Sequence, residues 1–270
     1  MTRFLVVPQW QGSPSSRAMR LIDGAEAIAE DLPRSAVTRV EVPAEAGEAV
    51  GTGIRRFSTL SRVRDAIGEL LQSTDEPAVI IGGDCAVAVP AIAAAAARHP
   101  SLAVVWFDAH GDLHTPDSSP SGALAGMALR AAIEAGPFAP TPPATPARTV
   151  LVGARAFDDA EADALADSPI TRMTADALAD TEALADAVAA TGADAVYVHI
   201  DLDVLDPAAI VGLLEPVPFG ADPAHVTASL ARLRERMPLV GASISGFAPA
   251  TRDAAVEDLG TILRLVGAVA

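Results

Sequence analysis

Lysine and asparagine are absent from the 270 residues, so all 19 basic side chains are arginine. Their absence excludes Schiff-base chemistry, a phosphate loop built around a lysine, and any catalytic asparagine. Cysteine occurs once, at Cys85. One cysteine rules out an intramolecular disulfide and a multi-cysteine zinc knuckle, and it fits a reducing cytoplasm, where the chain is expected to reside. Aromatic residues make up 4% of the chain, so any core has to be aliphatic. No run of about eighteen uncharged apolar residues occurs. Met1 to Gln9 holds one arginine and a short apolar run before Pro8, so neither a signal peptide nor a membrane span is expected. Positive charge is scarce overall: the formal net charge is −16, with the acids scattered rather than gathered in a tail. A nucleic acid or an anionic membrane is therefore not an expected partner; a small-molecule substrate is.

What the chain does have is aliphatic residues in quantity. Half the residues are hydrophobic, enough for one large core, and a single domain over 1–270 is expected. Short Val/Ile/Leu-rich runs alternate with longer alanine-rich amphipathic segments. The runs predict strands at Arg3–Val7, Val37–Val42, Ala78–Gly82, Leu102–Asp108, Thr149–Gly153, Ile170–Thr174, Ala195–Asp201 and Leu239–Gly246. The segments between and after them predict helices at Arg17–Glu30, Thr59–Gln72, Ala86–Arg98, Gly122–Ala135, Asp159–Ala166, Asp176–Thr191, Asp222–Arg236 and Ala254–Val269. Strand followed by helix, repeated about eight times, is the pattern of a mostly parallel sheet with helices on both faces, and an open sheet is favoured over a closed barrel. Gly136–Ala147 and Asp112–Gly122 read as loops, the second walling a substrate pocket.

Two acidic stretches fall where strands run out: Asp108-Ala109-His110-Gly111-Asp112, and Asp201-Leu202-Asp203 followed by Asp206-Pro207. If the strands continue through them, Asp108, His110 and Asp112 share one side, as do Asp201 and Asp203. Four carboxylates and an imidazole in one pocket are unfavourable without cations. Oxygen-rich donors with one nitrogen suit Mn, Mg or Fe, or Zn at lower coordination. Ligand sites of parallel sheets lie beyond the C-terminal strand ends, where the Gly82-Gly83-Asp84-Cys85 turn also falls.

Taken together, Gly82-Gly83-Asp84, the Asp-Ala-His-Gly-Asp run, Asp201-x-Asp203-x-x-Asp206-Pro207 and Val152-Gly153-x-Arg155 resemble the ureohydrolases, the family of arginase, agmatinase and formimidoylglutamase. The resemblance spans roughly Ala78 to Pro249. It implies a three-layer α/β/α fold with an eight-stranded parallel sheet and a binuclear manganese centre. It also implies hydrolysis of a C–N bond in a guanidino or formimino group by a metal-activated hydroxide, and assembly into trimers or hexamers. By position, Asp108 and Asp201 would bridge two Mn²⁺ ions, His110 and Asp203 would complete one site, and Asp112 would serve the other together with Cys85. Asp203 and His114 are then the candidate catalytic residues, and Ser121, Asp158 and Glu161 the candidate substrate-binding residues.

Several positions depart from the family pattern. Cys85 stands where the family has a ligand His; a thiolate is softer and favours Zn²⁺ or Fe²⁺ over Mn²⁺, unless the thiol is buried and inert. His114 replaces a pocket Asn, Ala125 a mobile His, and Gly246 a guanidinium-binding Glu. Leu213-Leu214-Glu215-Pro216 takes the place of Thr-Gly-Thr-Pro. Asp158 and Glu161 match acids that flank the substrate amine in relatives, and they also read as a helix N-cap and first-turn acid. His199, two residues before Asp201, reads as a hydrogen-bonded support for the metal shell. His99 and His225 receive no role. Two alternatives remain beside the hydrolase: a repurposed, non-catalytic family member, and a mononuclear zinc deacetylase-like amidohydrolase using Asp108, His110 and Asp203, although no His-His pair exists to serve it.

Overall fold

The structure is a computed structural model that describes all residues except 1, 75, 140 and 142. Eight strands, β1 Arg3–Val7, β2 Val37–Arg39, β3 Ala78–Gly82, β4 Leu102–Phe107, β5 Thr149–Val152, β6 Thr171–Met173, β7 Ala195–Asp201 and β8 Leu239–Ser245, form one open sheet. Their order is β2-β1-β3-β8-β7-β4-β5-β6, and every pairing is parallel. The helices are α1 Arg20–Glu30, α2 Phe57–Gln72, α3 Ala88–Arg98, α4 Ala128–Ile133, α5 Asp159–Ala166, α6 Thr181–Ala190, α7 Pro223–Arg236 and α8 Arg252–Val269.

Both faces of the sheet are apolar, and the period of two in the strands sorts the side chains between them. Phe4, Val6, Val79, Ile81, Val105, Phe107, Val198 and Ile200 pack on one face with α1, α6, α7 and α8. Leu5, Val7, Ile80, Val104, Trp106 and Tyr197 pack on the other with α2, α3, α4 and α5. Four helices on each side make the three layers. The edge strands β2 and β6 have three residues each, shorter than the apolar runs suggest, because each has a neighbour on only one side.

Two predicted helices differ. The segment expected to be helical from Gly122 is a 3₁₀ turn at Ala125–Met127 and only then α4. Gly122 has a φ of +63°, and the amide of Ala125 donates to the carbonyl of Gly12, so this stretch is held as pocket wall. The helix expected from Asp176 begins as a 3₁₀ turn and restarts at Thr181, because the Asp180 side chain accepts from the amide of Glu182 and caps a new N-terminus. Part of the Gly136–Ala147 loop, residues 140 and 142, lies outside the described residues.

The topology places the site. The chain lays down β3 and β4 far apart, then fills the gap with β8 and β7, so four adjacent strands, β3-β8-β7-β4, end side by side at the sheet centre. The turns after all four open onto one crevice. Ile80 lies fully buried in the centre of this region. Ile80→Ala is expected to cost about 2–5 kcal/mol by urea denaturation, whereas Val211→Ala, at a side chain 76% exposed, is expected to fall within about 0.5 kcal/mol of the parent.

Candidate metal centre and substrate pocket

The Gly82-Gly83 turn leads out of β3 through a space only glycine fills: a Cβ at Gly83 would lie 1.6 Å from the Gln9 carbonyl oxygen. Asp84 follows, buried, and accepts from Gln9 Nε2 at 2.9 Å, the Gly12 amide at 2.9 Å and the Ala86 amide at 3.1 Å. It thus ties the loop after β1 to the turn after β3. Burial pushes its carboxyl up to about 6 against those hydrogen bonds. Cys85 comes next and points its Sγ at the acidic cluster, 2.9 Å from Asp201 Oδ2 and 3.9 Å from Asp108 Oδ2.

The acidic motifs are not continuations of their strands. β4 ends at Phe107, and Asp112 has a left-handed backbone with φ +54°, a conformation that aspartate tolerates better than most residues. Asp108 Oδ1 accepts from the His110 amide at 2.7 Å, and Asp203 Oδ1 accepts from the Ala109 amide at 2.9 Å. Asp201 ends β7 and caps a 3₁₀ turn at Leu202–Val204, accepting from the Asp203 amide at 3.0 Å. The carboxylates converge because side chains cap neighbouring backbone amides; the strict alternation expected of a strand stops short of them.

In the resulting cavity, of about 250 Å³, Asp84, Cys85, Asp108, His110, Asp112, Asp201 and Asp203 meet. His110 Nδ1 lies 3.0 Å from Asp203 Oδ2 and 3.3 Å from Asp108 Oδ1. Burial opposes the charged imidazole, yet the bonds to Asp108 and Asp203 push His110 up to about 12. The same burial dominates at the carboxyls: Asp201 rises to about 7 with Asp203 repelling it, and Asp203 to about 6 with Asp108 repelling it. Burial and the charge of Asp108 push Asp112 well up, and its Oδ2 is buried with no hydrogen-bond partner.

The residues fit a divalent cation. The cavity lining includes no arginine, and ligand atoms of Asp108, His110 and Asp203 lie within 4.8 Å of one another. A crowd of buried carboxylates with one oxygen left unpartnered is what a bound cation would neutralise and satisfy.

Three features went unread in the sequence. Trp106, two residues before Asp108, donates from Nε1 to Asp108 Oδ2 at 3.3 Å. Ser245, at the end of β8, donates to Asp201 Oδ2 at 3.1 Å. Arg155 spends its guanidinium on five carbonyls, those of Gly153, Asp203, Val204, Val217 and Pro218, at 2.7 to 3.3 Å. The alternation of Trp106 with Asp108 and of Ser243 with Ser245 was the available signal; nothing in the sequence marks the arginine's targets.

The pocket wall is built by the loop after Asp112. His114 Nε2 pairs with Asp158 Oδ2 at 3.0 Å, and its Nδ1 lies 3.1 Å from Ser118 Oγ. Asp158 also caps α5, its Oδ1 accepting from the Glu161 amide at 3.0 Å, as the N-cap reading expects. Glu161 is buried and accepts from the Leu113 amide at 3.2 Å. Ser121 lines the cavity, but its hydroxyl accepts from the Ala123 amide at 3.1 Å within its own loop. Ala125 and Gly246 line it too, and Leu214 and Glu215 close one side. At Gly246 φ is +85°, and a Cβ would fall 2.2 Å from Asp201 Oδ1, so this backbone admits no larger residue in place. His199 is fully buried beside the cluster; Asp206, mostly tied to the Ala208 and Gly220 amides, stays outside it.

With this geometry in view, a family model described as "Arginase family" matches residues 17–262. The arginase of Bacillus caldovelox is 32% identical over 182 residues, which cover 61% of this chain and 61% of that protein. The N(omega)-hydroxy-L-arginine amidinohydrolase of Streptomyces lavendulae is 31% identical over 210 residues, 77% of this chain and 74% of that one. Among solved structures, the arginase of Entamoeba histolytica superposes with a TM-score of 0.85 at 23% identity, over 99% of this chain and 97% of that chain, which bears on the fold alone.

Two outcomes are expected here. Asp84, Asp201 and Asp203 all have raised values, so the metal-free folded state holds protons that the unfolded chain has already released. Stability contributed by these groups is complete below the ordinary 3.8 and is lost as pH rises toward about 7. Urea midpoints in chelator should therefore fall over that window, and excess divalent cation should flatten the trend. Arg155→Ala should weaken metal binding about tenfold or more in a calorimetric titration, with Arg155→Lys failing to restore it, because one ammonium cannot replace a five-donor fork.

Proposed function

This chain belongs to the arginase family, and from that premise we propose that it is a metal-dependent hydrolase cleaving a C–N bond of a linear amidine or related compound. The observation that carries the reading is the convergence of Asp108, His110, Asp201 and Asp203 in one cavity at the ends of adjacent strands. Those four residues, with Asp112, would hold the metal, and their oxygen-rich set suits Mn²⁺. When bound, a divalent cation there supplies Lewis acidity, acidifying water and polarising the carbon under attack.

The protein's own groups do the rest. Asp203, whose Oδ1 is held by the Ala109 amide and whose Oδ2 lies at the His110 side of the cavity, is the group placed to accept the proton of the attacking water and return it to the leaving nitrogen. Without metal, His110 Nδ1 pairs with Asp203 Oδ2 and Asp108 Oδ1, which keeps the three residues gathered at the place where they would hold the cation. Asp158, Glu161 and Glu215 on the wall favour a substrate with a cationic tail, and His114, paired to Asp158, sets how much of that charge is free. Leu214 adds apolar surface beside Glu215. No carboxylate reaches in from position 246, so the reacting head is not gripped as a guanidinium from that side; a formimino or substituted amidine head suits the pocket better. Ala125 offers no proton shuttle, which supports a second reading, a family member that binds metal and ligand without turnover.

The net charge of −16 favours a small-molecule substrate over nucleic acid or membrane, and no helix among the described residues is long and apolar enough to cross a membrane. A cytoplasmic homo-oligomer, trimer or hexamer, completes the proposal. The test is an assay of purified protein with Mn²⁺, Zn²⁺ or Fe²⁺ against guanidino, formimino and acylamino compounds. Turnover that disappears in chelator and in Asp201→Ala supports the hydrolase. Tight metal binding with no turnover on the whole panel supports the non-catalytic reading instead.

A further inference from the structure

Cys85 faces the acidic cavity beside a second buried donor that the proposed reaction does not use. His199 lies on β7, fully buried, in register with Trp106 of β4 on one side and Ser243 of β8 on the other. The Trp106 ring packs on the imidazole with centroids 3.9 Å apart, which holds the ring against rotation. Ser243 Oγ lies 2.7 Å from Nδ1, while Nε2 is on the side of Ser245, 3.5 Å from its Oγ. Ser245 in turn touches Cys85 Sγ at 3.6 Å and Asp201 Oδ2 at 3.1 Å. In the tautomer that donates Nδ1–H to Ser243, the Nε2 lone pair faces the side of Ser245, Cys85 and Asp201, the arrangement by which a hydrogen bond on one ring nitrogen prepares the other for a metal.

Ligand atoms of Cys85, Asp108 and His199 all lie within 4.8 Å of one another, and all three residues are buried. A further feature points to a cation in the cavity that Cys85 faces. Asp112, 4% exposed, lines the same cavity and has a buried Oδ2 with no partner. Sulfur, imidazole nitrogen and carboxylate oxygen form a borderline-soft set, which suits tetrahedral Zn²⁺ and is poor for Mn²⁺.

We propose that Cys85, His199 and Asp108 form a sulfur-containing zinc site next to the Asp108/His110/Asp203 position, making the centre of this chain chemically unequal: one oxygen-rich position and one thiolate position. The inference rests on the reading of the acidic cluster as a metal centre. As the S–Zn bond forms, the thiol proton passes to solvent, and Asp108, with oxygens facing both positions, is the shared carboxylate.

Cobalt(II) titration of the full-length protein tests it without recourse to activity. The expected result is a near-ultraviolet thiolate-to-cobalt charge-transfer band that is absent in Cys85→Ser, together with the loss of one zinc ion per chain in that variant by metal analysis. His199→Gln should weaken zinc at this position about tenfold or more while leaving the Cys85 thiol in place. Cys85→His should keep the stoichiometry, abolish the band and shift preference toward Mn²⁺, which guards against misreading a variant that has merely lost its fold. Cobalt bound with visible ligand-field bands and no charge-transfer band overturns the thiolate site and leaves the oxygen-rich metal centre standing. No cobalt bound at all overturns both.

Discussion

Electrostatic crowding at the centre of the sheet is the constraint on which the rest depends. Asp84, Asp108, Asp112, Asp201 and Asp203 are all buried within one small volume, and among the described residues His110 is the basic side chain that pairs with their carboxylates. In water-poor surroundings such a set holds together only if protons or cations offset the repulsion. The raised values at Asp84, Asp201 and Asp203 show how the protein behaves when protons do that work alone. The surrounding structure is built to hold the carboxylates in spite of this. Backbone amides of Gly12, Ala86, Ala109, His110 and Asp203, and side chains of Gln9, Trp106 and Ser245, each supply a fixed donor. Arg155 locks the carbonyl side of the Asp203 turn.

This explains why the fold and the site cannot be separated. The donors come from turns after β1, β3, β4 and β7 and from the end of β8, and they meet because β8 and β7 are inserted between β3 and β4. A sheet in simple sequence order would hold the Cys85 turn next to the Asp108 turn and leave Asp201 at a distance. The insertion also builds the lateral row Trp106–His199–Ser243, in which neighbouring strands present a ring, an imidazole and a hydroxyl at one level beneath the carboxylates.

Much of this was legible in the sequence, for reasons that can be stated residue by residue. The strands β3 and β4 are continuous apolar runs buried on both faces, and β1 after Arg3 and β7 up to Val198 read the same way, a signal that survives without knowing the partners. The acidic motifs were legible because carboxylates immediately after such runs have few other uses. The strand order was not, since nothing local to β8 says that it pairs with β3 and β7. Helix starts shifted where a side chain captured an amide first, as at Asp180, and those contests turn on a single hydrogen bond. The alternation of Asp108, His110 and Asp112 was the right grouping for the wrong reason: the residues face one cavity through caps and a left-handed Asp112, and no extended strand carries them.

Gly246 shows how the centre and the pocket constrain each other. With φ at +85° and its Cα against Asp201, the turn after β8 brings backbone to the place where a carboxylate side chain would have to pass. Its amide donates to the Gly83 carbonyl at 3.0 Å, so the turns after β3 and β8 are stitched together over the Cys85 thiol. Neither a β-carbon nor a larger cavity fits without moving Asp201. The bare backbone at 246 and the thiol at 85 are therefore parts of one packing arrangement: Ser245 lies against both Cys85 and Asp201, and Gly246 lets the chain leave that level without a side chain. The buried carboxylates and the backbone that closes over them are thus one packed unit, in which the end of β8 constrains the cavity as much as Cys85 does.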